Sequence, residues 1–330
     1  MRLEVANKKR FILVIMVLLV LLLVVWVVVS IRTSSTPGVD RSTNYKLQTT
    51  NYPANPFAEL KTPVALSYVG GEKTFPNESQ TYQLGDQTLS AAEVKSLAAK
   101  FGFSEDPVIS EDKVQGKVYF WISDEATLRW REKQQVLKYA LKNIKVVKVS
   151  VPLSFDEAKA TAQVFLEKYG LWSDLSFLEG YQYLRNLETE TSLTEARLSE
   201  GIKVSLTYTI GNLPLWDEFL GGEPVSVTIL NDGRVAFVSY LFFRPAQLKS
   251  VGTFPLKTLT EVRQDLNRGE GLAVSSLSKN PQSIEAIPAN GLTDQARLVL
   301  FRSIETATAQ PFFVFSSPSV QVLFPADRSD

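Results

Sequence analysis

The chain has 330 residues and no net charge, with 35 basic and 35 acidic side chains, and 45% of its residues are hydrophobic. This length and composition are typical of a folded protein of two or three domains, not of a disordered chain. The chain contains neither cysteine nor histidine, which excludes disulfides, thiolate metal sites, Ser-His-Asp triads and HExxH zinc sites. The sequence therefore indicates no cofactor and no metal site.

The N-terminal stretch from Phe11 to Val29 contains no charged side chain. As a helix with a rise of about 1.5 Å per residue it is roughly 28 Å long, close to the ~30 Å hydrocarbon core of a bilayer. We expect a transmembrane helix over residues 11–31 that contacts the lipid bilayer. A cleaved signal peptide is the alternative, but its apolar region is shorter and ends in an A-x-A-like site, which this sequence lacks.

Basic residues flank the predicted helix mainly on its N-terminal side, at Lys8, Lys9 and Arg10. The positive-inside rule then places residues 1–10 in the cytoplasm and the C-terminal body outside a plasma membrane crossed once. Five of the 35 basic residues and one of the 35 acidic residues precede residue 33, so the remainder has a net charge of −4. This weak negative charge gives no electrostatic reason to bind nucleic acid.

Residues 32–60 are rich in Ser, Thr, Asn and Pro and show no apolar periodicity, which predicts an extended linker. Beyond it, the pattern [ST]-x-x-E-[AV]-[KR] begins at Ser90, at Ser154 and at Thr258. Each copy predicts a capping box at the start of an amphipathic helix. A glycine follows each helix and predicts its C-terminal cap; the three glycines are Gly102, Gly170 and Gly269.

Apolar and β-branched runs predict strands between these helices. The clearest is the hairpin of Val225–Leu230 and Val235–Phe243, which are joined by the favoured turn Asn231-Asp-Gly233. The other predicted strands are Val118–Ile122, Leu128–Val136, Ile202–Ile210, Arg297–Ser303 and Pro311–Phe315.

The arms of such hairpins are antiparallel, because the turns are too short for crossover connections. We therefore expect an α+β fold in which the N-terminal transmembrane helix precedes repeated helix-plus-antiparallel-hairpin modules. The expected modules span residues 61–150, 151–245 and 246–330.

Carboxylates are the acid–base groups left for catalysis, and three of them lie close together in the acidic loop of residues 214–224. Asp217, Glu218 and Glu223 follow Trp216, and two such carboxylates beside an aromatic ring suit a hydrolase that acts on cell-wall glycans. Solvated turn residues explain the same pattern. The sequence leaves open whether this loop is functional.

The segment from residue 128 to residue 148 is basic and contains interleaved aromatic residues. Proteins that bind single-stranded nucleic acid use such side chains, but a nucleic-acid partner is not expected outside the cell. Attraction to anionic lipid or to a wall polymer is an alternative to a simple solvated face.

Three sequence features together resemble PepSY-type modules and the membrane-anchored bacterial regulators of the YycH and YycI type. They are the capped helix at Ser154, the strand pair around Gly233 and Val235, and the segment Phe254-Pro-Leu-Lys257 with Glu261. The resemblance implies a regulatory, non-enzymatic protein that binds or restrains another envelope protein, such as a sensor kinase or a protease. The matching residues are caps, turns and core positions, so no functional residue is transferred.

The expected function is therefore a membrane-anchored, extracytoplasmic regulatory or protein-binding role without catalytic activity. Two alternatives stay open, a wall hydrolase that uses the carboxylates of the acidic loop and a passive structural subunit of the envelope. The identity of the partner and the oligomeric state are open as well.

Overall fold

The computed structural model describes residues 66–112, 116–145, 151–187, 191–193, 196–267, 272–276, 291–293, 295–316 and 320–327. The predicted tail, transmembrane helix and linker, residues 1–60, lie outside this part of the chain. Within the described ranges, no helix combines the length and the apolar character needed to cross a membrane. All described residues belong to one compact unit.

The described residues form three α-helices, two short 3₁₀ turns and eighteen strands. The helices are α1 (Ala91–Lys100), α2 (Phe155–Lys168) and α3 (Leu259–Asn267), and the 3₁₀ turns are Ala196–Leu198 and Pro245–Gln247. The strands are β1 (Leu66–Tyr68), β2 (Glu78–Leu84), β3 (Val108–Asp112), β4 (Gly116–Ile122), β5 (Ala126–Arg131), β6 (Val136–Leu141), β7 (Leu175–Asn186), β8 (Thr191–Leu193), β9 (Gly201–Ile210), β10 (Leu213–Asp217), β11 (Val225–Leu230), β12 (Val235–Leu241), β13 (Leu248–Pro255), β14 (Leu272–Ser276), β15 (Gly291–Thr293), β16 (Gln295–Ser303), β17 (Thr308–Ser316) and β18 (Val320–Pro325).

The three predicted capping boxes are confirmed. At the start of α1, the Ser90 backbone N–H donates to Glu93 Oε2 over 2.7 Å, and the Glu93 backbone N–H donates to Ser90 Oγ over 3.3 Å. The same reciprocal bonds begin the other two helices, at Ser154 with Glu157 and at Thr258 with Glu261. These bonds satisfy backbone donors that have no partner within the helix.

Glycine ends the first two helices as predicted, in the left-handed region that a side chain would disfavour. The φ angle is +87° at Gly102 and +69° at Gly170. The third predicted glycine, Gly269, lies outside the described residues.

Nine strands form an antiparallel part of the main sheet, in the order β3-β4-β5-β6-β12-β11-β9-β7-β8. Its centre contains the predicted hairpin, in which Val225 lies opposite Tyr240 and Val227 opposite Val238. Gly233 in the connecting turn has a φ of +85°, so the predicted Asn-Asp-Gly hairpin is confirmed.

A second part of the main sheet is mixed. Its order is β14-β18-β17-β16-β10, and β2 joins the N-terminal end of β17 and carries β13. Strands β10 and β16 are parallel, whereas β9 and β10 form a tight antiparallel hairpin that joins the two parts. Strands β1 and β15 form a separate parallel pair.

The main core lies between the helices and one face of this sheet. Helix α2 contacts β9, β11 and β12 and buries Ala158, Ala162 and Leu166 completely. Alternate residues of the strands face it, among them Val204 and Val227, both 0% exposed. Burial of each such aliphatic side chain stabilises the fold by roughly 1.5–3 kcal/mol.

The expected α+β fold of repeated helix-plus-hairpin modules is wrong. Most described strands belong to one large mixed sheet, and the three helices are short and lie beside it. Strands from different predicted modules are hydrogen-bonded to one another, since β6 pairs with β12 and β2 pairs with β13 and β17. Capping boxes and turns act locally, so their recurrence does not determine which strands pair.

The predicted single strand Leu128–Val136 is also two strands, β5 and β6, which form a hairpin. The chain reverses between them at Gln135, which has a φ of +58°. The Gln135 side chain is held in place, because its Oε1 accepts a 2.8 Å hydrogen bond from the Leu89 backbone N–H. This turn therefore forms without the glycine or asparagine that usually indicates one.

Candidate functional site

Asp217, the first carboxylate of the acidic loop, is a buried structural residue. It ends β10 directly opposite Arg302 of β16, and the two side chains form an ion pair with both residues at most 2% exposed. The other carboxylate oxygen, Oδ1, accepts a 2.9 Å hydrogen bond from the Leu220 backbone N–H. Both oxygens are therefore occupied, and they hold the loop and the β10–β16 pairing in place.

Glu218 is only partly buried and has a different partner. Its Oε2 accepts a 3.1 Å hydrogen bond from Ser303 Oγ. Burial raises the pKa of Glu218, and the negative charges of Glu305 and Asp217 raise it further, against the lowering effect of the Ser303 hydrogen bond. A carboxyl with a raised pKa can hold a proton under mildly acidic conditions, which is one requirement for a general acid.

Glu223 lies apart from these contacts, 3.9 Å from Lys203 Nζ, with 44% of its side chain exposed. The three predicted carboxylates thus have three different partners, which are Arg302, Ser303 and Lys203. Within the part of the chain that the structure describes, no group of three or more acidic side chains is placed to hold a metal ion. The contacts that these three carboxylates make are therefore mainly structural.

The most exposed apolar edge of the sheet is β3, which the sequence did not predict as a strand. Val108 is 67% exposed and Ile109 is 55% exposed, and Ile122 on the neighbouring β4 is 65% exposed. Among the described strands, β3 pairs with β4 and has no neighbour on its other side. Its free backbone donors and acceptors can pair with an added strand.

Residues 128–141 of the basic segment lie in β5, in β6 and in the turn between them, whereas residues 146–148 lie outside the described part of the chain. Leu128 and Trp130 are buried in the main hydrophobic core, while Arg129 and Arg131 lie on the other face of the sheet and are partly exposed. The Arg131 guanidinium lies 5.1 Å from the centre of the Phe219 ring. The segment is therefore a strand pair with one basic face.

No family model matches this chain, and neither a curated protein nor a solved structure matches it significantly. The assignment of a function consequently depends on the geometry of these residues.

We predict that Asp217→Asn destabilises the protein by about 3–5 kcal/mol, because the substitution leaves the Arg302 guanidinium buried without a counter-charge. Equilibrium unfolding of the purified full-length protein in detergent measures the change. Glu223→Gln is the matched control and should change the free energy of unfolding by less than about 0.5 kcal/mol, as expected for an exposed side chain. Equal effects of the two substitutions would show that Asp217 has no special structural role.

Proposed function

We propose that this protein is a single-pass plasma-membrane protein whose extracytoplasmic body serves a regulatory or protein-binding role. The apolar stretch of residues 11–29 and the basic residues before it support the anchor. The observation that carries the binding role is the free edge of β3 with its exposed Val108 and Ile109. Exposed apolar residues on an unpaired strand are a hazard that proteins usually avoid unless the edge is used.

A partner would bind this edge by adding an extended segment to the sheet. Main-chain hydrogen bonds supply affinity in this mode, and side chains on alternate faces supply specificity. Val108 and Ile122 lie on one face, because Val108 pairs with Phe120 two residues before Ile122, and Ile109 lies on the other. An added strand can therefore make apolar contacts on both sides of the sheet.

The charge of β3 favours another protein over a second copy of this chain. Glu111 is exposed on the strand, and Glu105 is exposed shortly before it. Two acidic edges repel each other when they are paired. We therefore propose a partner strand that carries basic side chains, on an envelope protein.

The wall hydrolase is the second candidate, and the raised pKa of Glu218 is the observation that favours it. Glycoside hydrolysis also needs a second carboxylate at a defined separation. Asp217 is held in its ion pair with Arg302, and Glu223 lies near Lys203. The contacts of these carboxylates thus favour a protein-binding role over a catalytic one. A passive structural subunit would need the same membrane anchor.

The proposed topology predicts that a reporter fused after Asp330 lies outside the cytoplasm. Alkaline phosphatase fused there should be active, because it needs an oxidising compartment, and a cytoplasmic fluorescent reporter at the same position should be dark. Fusions before Lys8 should give the opposite pattern. An active cytoplasmic reporter after Asp330 would reject this topology.

The proposed use of β3 predicts that Ile109→Lys reduces partner binding at least tenfold, because it places a buried charge in the apolar contact. A photo-crosslinking residue at position 110 in intact cells, followed by gel analysis, measures the yield of a defined adduct with one envelope protein. Val251→Lys is the control, since Val251 is 49% exposed on β13 at the other end of the sheet. Equal adduct yields in the two variants would contradict a binding role for β3.

A further inference from the structure

Helix α2 presents a second side to its surroundings besides the one that packs on the sheet. Its inner side buries Ala158, Ala162 and Leu166. Residues that recur at spacings of three and four lie along another side of the helix and are at least partly exposed. These residues, which we call the α2 stripe, are Glu157, Ala160, Thr161, Val164, Phe165 and Lys168.

The α2 stripe borders an open, mainly apolar groove of about 420 Å³. The groove is lined on its other side by Gly233 and Val235, at the turn between β11 and β12. Val164 lines it as well and is 65% exposed. An exposed aliphatic side chain beside an apolar groove is typical of a surface that contacts another molecule.

The stripe ends in opposite charges. The hydroxyl and the backbone N–H of Ser154 donate to Glu157 Oε2 over 2.6 Å and 2.9 Å, and these bonds lower the pKa of Glu157. Lys168 Nζ lies 5.2 Å from the centre of the Tyr169 ring. Within the described part of the chain, neither Glu157 nor Lys168 forms an ion pair. They are too far apart to pair with each other, at roughly 16 Å along the helix axis.

The stripe is complementary to itself when its direction is reversed. Its residues form three pairs that are spaced equally about the midpoint between Ala162 and Gln163, namely Glu157 with Lys168, Ala160 with Phe165, and Thr161 with Val164. If two copies of α2 pack antiparallel about a two-fold axis at this midpoint, each residue faces its pair mate in the other copy. An acid then faces a base at both ends, and the largest side chain faces the smallest.

We propose that the α2 stripe binds the α2 stripe of a second copy of this chain, antiparallel and about a two-fold axis. The charges set the direction, because a parallel arrangement would place Glu157 opposite Glu157 and Lys168 opposite Lys168. The small residue Ala160 allows the helix axes to approach closely. A bilayer surface or an unrelated protein would not require this symmetry. The contact uses α2 and not β3, so it is independent of the proposed binding role of β3.

The test is disulfide crosslinking in membranes, because the chain has no cysteine of its own. Full-length Thr161→Cys and Val164→Cys chains with tags of different mass are co-expressed, and the isolated membranes are treated with a mild oxidant. A disulfide requires Cα atoms within about 7 Å of each other. The mixed-tag adduct should exceed either same-tag adduct about fivefold, because residue 161 of one copy faces residue 164 of the other.

Gln163→Cys in place of Thr161→Cys is the matched control, since Gln163 lies on the opposite flank of the same helix. Its mixed-tag yield should be lower by about fivefold or more. An adduct of any mass other than that of two copies would assign the groove to another protein and overturn the proposal. Predominance of same-tag adducts, equal yields with the control, or absence of an adduct would overturn it too.

The charge contacts are tested by Lys168→Glu in both copies, which places like charges opposite each other. The mixed-tag yield should fall about fivefold or more at low salt. Lys249→Glu changes an exposed lysine of β13 in the same way and should leave the yield within about twofold of its original value. Thermal unfolding of both purified variants should match the wild type, which shows that the fold is intact. Equal yields in the two variants would contradict the proposed antiparallel contact.

Discussion

The buried ion pair between Asp217 and Arg302 constrains how β10 and β16 pair, and the connection between the two parts of the main sheet depends on this pairing. It lies where β10 runs parallel to β16, next to the β9–β10 hairpin that joins the two parts of the main sheet. Two buried charges are favourable only when each satisfies the other, so the pair admits one register of these strands. Through β10, the second part of the main sheet is joined to β9 and so to the antiparallel part.

The features that the sequence predicted well are those that are decided locally. A capping box needs a hydroxyl and a glutamate three residues apart, and Ser154 and Glu157 form it from the sequence alone. The turn at Gly233 is equally local. Strand pairing is not, because β6 meets β12 only after some 90 residues of intervening chain. The prediction of separate modules was wrong for this reason: the strands between the similar capped helices pair with one another in one sheet.

The same distinction separates the candidate residues. Asp217 was predicted as a catalytic candidate because nearby carboxylates suggest chemistry, but its partner Arg302 lies 85 residues further on and is invisible to a local pattern. Conversely, Arg129 and Lys138 were part of a basic segment in the sequence, and only the register reveals that they are neighbours. The β3 edge gave little signal, because Val108-Ile109 is too short a run to indicate a strand.

The central claim is that the two parts of the main sheet form one folded platform, to which the β3 edge belongs. Native-state hydrogen exchange on the full-length protein, with increasing guanidinium chloride, tests this claim most directly. The account predicts that central amides of β9, such as Val204, and of β16, such as Leu300, exchange with the same opening free energy. Exchange of one strand through a low-energy opening, while the other stays protected, would contradict it.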